Sequence, residues 1–186
     1  MPSPLRLRLL GARLRAGAVI AYPTEAVYGL GCDPLDPHAV ARVLALKRRP
    51  DTKGMILIAA DEAQLEPFLG AIAAPMRQRM RDSWPGPVTW VAPAAPWVPA
   101  WVTGGRDTIA VRVTAHPIAA ALCRAFGGAL ISTSANRSGQ PPARTALRAR
   151  VLFGDGLDDV VNGPLGGQQR PTTIIDARTG TVIRPG

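Results

Sequence analysis

Nineteen glycines and nineteen prolines are spread along all 186 residues. Each proline withholds a backbone donor, and each glycine loosens the chain. A sequence broken this often cannot sustain long helices or long strands, so it must fold from many short elements joined by turns. Residues 4–16 alternate leucine and arginine and then set Leu10 and Leu14 at helical spacing before Gly17, which predicts a helix. Residues 18–22 are an apolar run that predicts a buried strand ending at Pro23. Asp36 and Pro37 are the N-cap and first position of a helix with Val40, Val43 and Leu44 on one face, and Lys47 extends that face by one turn. Residues 54–60 predict a second buried strand. Asp61 is a further N-cap, and helix is expected through about residue 82, before the turn-rich Trp84-Pro85-Gly86-Pro87. Strands are expected at 88–91 and 108–113, a helix from His116-Pro117, a strand at 129–133, a helix near 144–153, and short strands at 159–161, 172–176 and 181–184.

This interleaving predicts an α/β fold, a twisted mixed sheet with helices packed on it. At 47% apolar and 19% charged, the chain reads as one domain over residues 1–186. Neither GxxxxGK[ST] nor GxGxxG occurs, and Gly29-Leu30-Gly31 is followed by Pro34 where a third glycine would be required, so this is not a plain nucleotide-binding fold. No apolar stretch is long enough to cross a membrane. The basic start, Leu5 to Leu10, lacks a cleavage pattern, and Cys32 and Cys123 form no paired motif. A reducing, cytoplasmic setting is the expectation.

A formal charge of +9 favours anionic partners, nucleotides or RNA among them. An arginine-rich composition serving solubility alone would give the same charge. Against twenty arginines stand only two lysines, both within Lys47-Arg48-Arg49-Pro50-Asp51-Thr52-Lys53. A lysine kept in such a background suggests a need for a compact point charge, most commonly for phosphate. Basic residues complementing the carbonyl end of a helix explain the stretch equally well. Behind the apolar run 129–131, Ser132, Ser134 and Asn136 would share one face if the strand continued through residue 136. They could grip phosphate, ribose or carboxylate there, or satisfy local backbone in a turn. Thr24 and Tyr28 leave a buried strand for a glycine-containing loop. Arg112 interrupts an apolar strand and requires an anion, either an internal carboxylate or a bound one.

Together these segments resemble the YrdC-like threonylcarbamoyl-AMP synthases over nearly the whole chain. The resemblance is carried by Pro23-Thr24-Glu25 with Tyr28-Gly29-Leu30-Gly31, by Lys47-Arg48-Arg49-Pro50, by Trp84-Pro85-Gly86-Pro87-Val88-Thr89 and by Ala110-Val111-Arg112. Ser134-Ala135-Asn136-Arg137-Ser138-Gly139, Thr172-Thr173-Ile174-Ile175-Asp176 and Ile183-Arg184-Pro185-Gly186 complete it. Ala26 stands where many members carry a second threonine, and Thr172 where many carry serine. The chain resembles the short form of the family.

The resemblance implies a YrdC-like fold around a central cationic cavity. It implies the conversion of L-threonine, bicarbonate or CO2, and ATP into threonylcarbamoyl-AMP and pyrophosphate by nucleotidyl transfer, for modification of the adenosine beside the tRNA anticodon. It places Lys47, Arg49, Ser132, Ser134, Asn136 and Arg184 on ATP, with Lys47 and Arg49 stabilising charge in the reaction, and Thr24, Arg112 and Thr172 on threonine. Mg2+ would be carried mainly by ATP phosphates, with no protein metal site. Downstream threonylcarbamoyl-transfer proteins and tRNA are the implied partners. Two rivals stand beside this reading: a non-catalytic basic module binding tRNA or ribosomal RNA directly, whose affinity would fall steeply with salt, and a carbamoyl-transferring domain of hydrogenase maturation, a kind usually embedded in larger chains.

Overall fold

The computed structural model describes all 186 residues. Six helices are formed: α1 (Pro4–Arg15), α2 (Pro37–Lys47), α3 (Ala74–Asp82), α4 (Ala100–Thr103), α5 (Pro117–Phe126) and α6 (Ala146–Phe153). Ten strands accompany them: β1 (Ile20–Pro23), β2 (Tyr28–Gly31), β3 (Ile56–Ala59), β4 (Val88–Pro93), β5 (Thr108–Val113), β6 (Leu130–Ile131), β7 (Thr133–Ser134), β8 (Asp159–Val160), β9 (Thr173–Asp176) and β10 (Val182–Arg184). The strands form two mixed sheets, one ordered β10-β9-β4-β5-β3-β6 and the other β7-β2-β1-β8. No helix is long and apolar enough to cross a membrane.

Local chemistry accounts for most boundaries. Ser3, Asp36 and Thr145 accept backbone N–H groups at the starts of α1, α2 and α6, and proline occupies the first turn of α1, α2, α3 and α5. The helix expected from Asp61 through residue 82 is not continuous. Asp61 instead caps a single 3-10 turn at Glu62–Gln64, Pro67 sits in a second at Glu66–Phe68, and α-helix begins only at Ala74. Proline lacks the donor that an unbroken helix would need there.

The strand expected at 129–133 is also divided. β6 pairs with β3 in the larger sheet and β7 with β2 in the smaller one, so the chain changes sheets at Ser132. The strand ends at Ser134, and the alternation proposed to carry Asn136 onto the same face does not extend to it. Tyr28–Gly31, read as loop from its glycines, is a strand. A Cβ on Gly31 would fall 2.6 Å from a Tyr22 ring carbon and 2.8 Å from the Ile131 carbonyl, so glycine permits the close approach of strands.

Strand alternation distributes apolar side chains to two cores. Val19, Ala21, Leu57, Ala59 and Ile131 join the larger core, with Val40 and Val43 of α2 and Ala146 and Ala149 of α6. Ile20, Tyr22, Ile58 and Leu130 join the smaller core, beneath Leu10 and Leu14 of α1 and Ile118 and Leu122 of α5. At the α1–α5 crossing, a Cβ on Gly11 would lie 2.1 Å from the Ala125 carbonyl oxygen. Arg15 donates to the carbonyls of Ala125 at 2.9 Å and Phe126 at 2.7 Å, closing the end of α5. Gly11→Ala should therefore lower stability by about 1–3 kcal/mol through overpacking, despite alanine's better helix propensity. Thermal unfolding checks this: a fall in Tm is expected, and an unchanged or raised Tm contradicts the crossing.

Candidate active site

Both sheets contribute to a cavity of about 570 Å3, lined by Ile56, Val91, Ala110 and Ile174 of the larger sheet and by Gly29 and Ser134 of the smaller one. Arg49, Lys53, Arg106, Arg112 and Arg184 line it, and no aspartate or glutamate does. Of the residues singled out in the sequence, Thr24, Arg49, Arg112, Ser132, Ser134, Thr172 and Arg184 reach this one cavity. Lys47 and Asn136 do not line it. They sit behind Ser134, which does.

Arg112 is the deepest of the five cations, at 5% exposure within β5. One terminal nitrogen donates to the Thr172 hydroxyl at 2.9 Å, and the other lies 3.4 Å from a Glu25 carboxylate oxygen. Its Nε has no partner. Of the two anions left open by the sequence, the structure supplies the internal carboxylate, and one guanidinium donor of Arg112, the buried Nε, is left unused. Glu25 is equally buried at 5%, and the Thr114 hydroxyl donates to its other oxygen at 2.6 Å. Burial pushes the Glu25 carboxyl up, but Arg112 and then Thr114 outweigh it and hold the group below the usual carboxylate range.

Thr172 ties this pair to the chain's last strand. Its hydroxyl accepts from Arg112, and its carbonyl accepts from Arg184 at 3.0 Å. Burial and then Arg112 depress the Arg184 guanidinium, and burial and then Arg184 depress that of Arg49. Each cation feels the next, and the single Glu25 answers only one of them. Arg49 follows Arg48, the one non-glycine residue with positive φ, at 49°. That turn lets Lys47 point inward from the end of α2 while Arg49 swings to the cavity. Arg49 donates to the Gly54 carbonyl at 3.0 Å and leaves its buried Nε unpartnered.

Lys47 is 3% exposed, and its ammonium donates to the carbonyl of Ser134 and to the carbonyl and side-chain oxygen of Asn136, the latter two at 3.0 and 3.2 Å. The Ser134 hydroxyl donates to Asn136 Oδ1 at 2.6 Å, and Asn136 Nδ2 donates to Arg137 and Gln140 carbonyls. The Ser-x-Asn cluster thus satisfies its own backbone, with Lys47 as its fastener. Thr24 donates its hydroxyl to the Val27 carbonyl at 2.7 Å, bracing the loop at the cavity wall.

Glu25, Lys53 and Arg106 were given no role from sequence. Lys53 carried a signal, being the other lysine of the stretch. Glu25 was visible only as a motif letter, and Arg106 only as one of twenty arginines. His116 caps α5 and meets the Pro164 carbonyl at 3.1 Å through Nε2. Burial depresses its pKa.

A Sua5–YciO–YrdC family model, described as telomere recombination, matches residues 12–186. A protein named threonylcarbamoyl-AMP synthase from Alkalilimnicola ehrlichii is 61% identical, covering 96% of this chain and 95% of that protein. One of the same name from Halorhodospira halophila is 58% identical, covering 97% and 95%. Sua5 of P. abyssi, solved with L-threonine, superposes with a TM-score of 0.91 at 34% identity. That likeness covers all of this chain and 55% of Sua5, so the chain spans about half the length of that protein.

Burial and then Arg49 lower the Lys47 pKa from 10.5 to about 8. Between those values the folded protein binds fewer protons at Lys47 than the unfolded chain, so its stability rises with pH across that window. Lys47→Met removes the group. Relative to this variant, the natural protein should gain roughly 1–2 kcal/mol between about pH 7 and about pH 9.5. Denaturant unfolding at the two pH values measures it, and a constant difference would show that Lys47 titrates normally.

Proposed function

The chain belongs to the Sua5–YciO–YrdC family, and on that footing we propose that it is a threonylcarbamoyl-AMP synthase, a nucleotidyltransferase acting on L-threonine, bicarbonate or CO2, and ATP. The observation that carries this reading is a cavity lined by five cations and no carboxylate, a wall suited to a substrate with several negative charges.

The neutral threonine amine takes up CO2 as a carbamate, releasing a proton; from bicarbonate, the same carbamate forms with release of water in place of the proton. A carbamate oxygen then attacks the α-phosphorus, the bond from that phosphorus to the bridging oxygen breaks, and pyrophosphate leaves with the electron pair. No side chain is covalently modified, so positioning and charge stabilisation are the enzyme's task. Neither histidine is offered as a base: His38 is exposed on α2, and His116 is held by Pro164.

Arg112, with its unpartnered Nε, takes the threonine carboxylate beside Thr172 and Thr24. Arg49 and Arg184 face the phosphates, and Ser132 and Ser134 hold nucleotide groups at the sheet crossover. Lys47 and Asn136 reach phosphate only by exchanging their present oxygen and carbonyl partners for it, so their roles couple to movement of the Ser134–Asn136 loop. No cluster of three or more carboxylate, histidine or cysteine side chains forms a metal cage. The residues present do not fit a resident ion, and Mg2+ enters as part of the MgATP substrate. The product, a mixed anhydride, is passed to threonylcarbamoyl-transfer proteins and thence to tRNA.

Incubation with MgATP and bicarbonate should give an adenylate detectable by mass spectrometry only when L-threonine is present. Adenylate formation independent of threonine, or none at all, contradicts the proposal. Arg112→Lys keeps the charge beside Glu25 but loses the guanidinium fork. It should raise the KM for threonine about tenfold or more, equivalent to about 1.4 kcal/mol, with a smaller effect on the KM for ATP. An unchanged threonine KM would confine Arg112 to the internal pair.

A further inference from the structure

Five cations line the cavity, and a carboxylate answers only one of them. Arg49 is half-buried, Lys53, Arg106 and Arg184 are exposed, and none of these four enters an ion pair. Arg112, the buried one, faces Glu25. The carboxylate stands behind it rather than in the cavity: Thr24 and Ala26, on either side of Glu25 in the chain, line the cavity, and Glu25 does not. Strand alternation explains the meeting. Arg112 in β5 and Thr114 just beyond it project to one face, and Thr114 prolongs the strand's pairing by donating its N–H to the Ala59 carbonyl at 3.0 Å. Both reach Glu25, Thr114 through its hydroxyl at 2.6 Å and Arg112 at 3.4 Å. The segment after β8 runs against the same residue. A Cβ on Gly166 would lie 2.9 Å from Glu25 Cα, and Gln168 donates its N–H to the Glu25 carbonyl at 3.0 Å. Thr114, Glu25 and Arg112 are 2%, 5% and 5% exposed, so water screens these charges little.

Burying a guanidinium requires a counter-charge. The same counter-charge decides which anions can join it. Arg112 and Glu25 together carry no net charge, so a ligand arriving at Arg112 gains hydrogen bonds but little net Coulomb attraction. A carboxylate, singly charged, gives up modest hydration to bind there. A phosphate dianion gives up far more and meets twice the repulsion from Glu25. At the other four cations no carboxylate cancels the field, and phosphate charge is offset. We propose that Glu25 is a specificity-determining residue: by cancelling the charge of Arg112 from behind, it reserves that end of the cavity for a singly charged carboxylate and keeps phosphate groups from occupying it. This assignment rests on the synthase reading, in which the amino acid must reach Arg112 in a cavity that also takes in ATP and releases pyrophosphate. Without Glu25, a phosphate chain could settle on Arg112 and exclude threonine.

Calorimetric titration with inorganic phosphate and, separately, with L-threonine tests this in the natural protein, Glu25→Gln, Arg112→Gln and the double variant, with thermal unfolding verifying that each folds. Glu25→Gln removes the charge and keeps an oxygen for Thr114 to donate to. It should bind phosphate about tenfold or more tightly than the natural protein, with a smaller gain or a loss for threonine, and the phosphate gain should vanish in the double variant. Damage to the fold would weaken binding, so a gain has no such origin. Unchanged or weaker phosphate binding, an equal gain for threonine, or a gain that survives the loss of Arg112 overturns the proposal. Should Glu25→Gln not fold, Arg112→Gln decides. It should weaken threonine about tenfold or more and leave phosphate within about threefold, because phosphate does not use Arg112 while Glu25 is present; matching losses of both ligands overturn the proposal. Threonine-dependent adenylate formation by the natural protein, run in parallel, reports on the synthase reading separately. If it fails while Glu25→Gln gains phosphate through Arg112, the charge filter stands and the synthase reading falls.

Discussion

The guanidinium of Arg112, sunk in β5 with a single carboxylate 3.4 Å away, is the constraint around which this structure is arranged. A buried charge must be answered by charge and hydrogen bonds, and removing either member of such a pair strands the other. Glu25 therefore fixes the loop after β1 against β5, with Thr114 donating to it, and its carbonyl accepts from Gln168 at 3.0 Å. Thr172 supplies Arg112's second contact and draws in the segment that leads to Arg184. Distant parts of the chain converge on one ion pair.

That pair leaves an imbalance. Glu25 answers Arg112, while Arg49 is depressed by burial and then Arg184, and Arg184 by burial and then Arg112. The two cores, the larger packed on α2 and the smaller on α5, hold the framework that carries these like charges, and an entering anion would relieve their repulsion. The crossover at Ser132 serves the same geometry: by leaving the larger sheet and joining the smaller, the chain brings Ser132, Thr133 and Ser134 to the cavity wall.

Much of this was legible from residues alone. Asp36-Pro37 and His116-Pro117 located α2 and α5, because those signals act within one helical turn, and the spacing of Leu10 and Leu14 before Gly17 located α1. Apolar runs located β1, β3, β4 and β5, since buried strands carry their own pattern. What escaped depends on contacts distant in sequence. Gly29 and Gly31 read as loop because their closeness to Tyr22 and Ile131 exists only after pairing. The division at Ser132 depends on which partner strand each half meets. Lys47 was read as a phosphate-facing charge from its rarity, yet the same rarity applied to Lys53. Only the fold shows that Lys47 turns inward to Ser134 and Asn136 while Lys53 lines the cavity. For Arg112, sequence demanded an anion without choosing one, and the structure supplies Glu25 while leaving Nε free.

The account's central claim is that one cavity holds an amino-acid carboxylate at its deep end and a polyphosphate along its cations. A crystal structure of the protein with L-threonine and a non-hydrolysable ATP analogue measures this directly. The account predicts the threonine carboxylate in hydrogen-bond contact with Arg112 and phosphate oxygens in contact with Arg49. Phosphates bound outside this cavity, or an Arg112 still engaged only by Glu25 and Thr172, would contradict it.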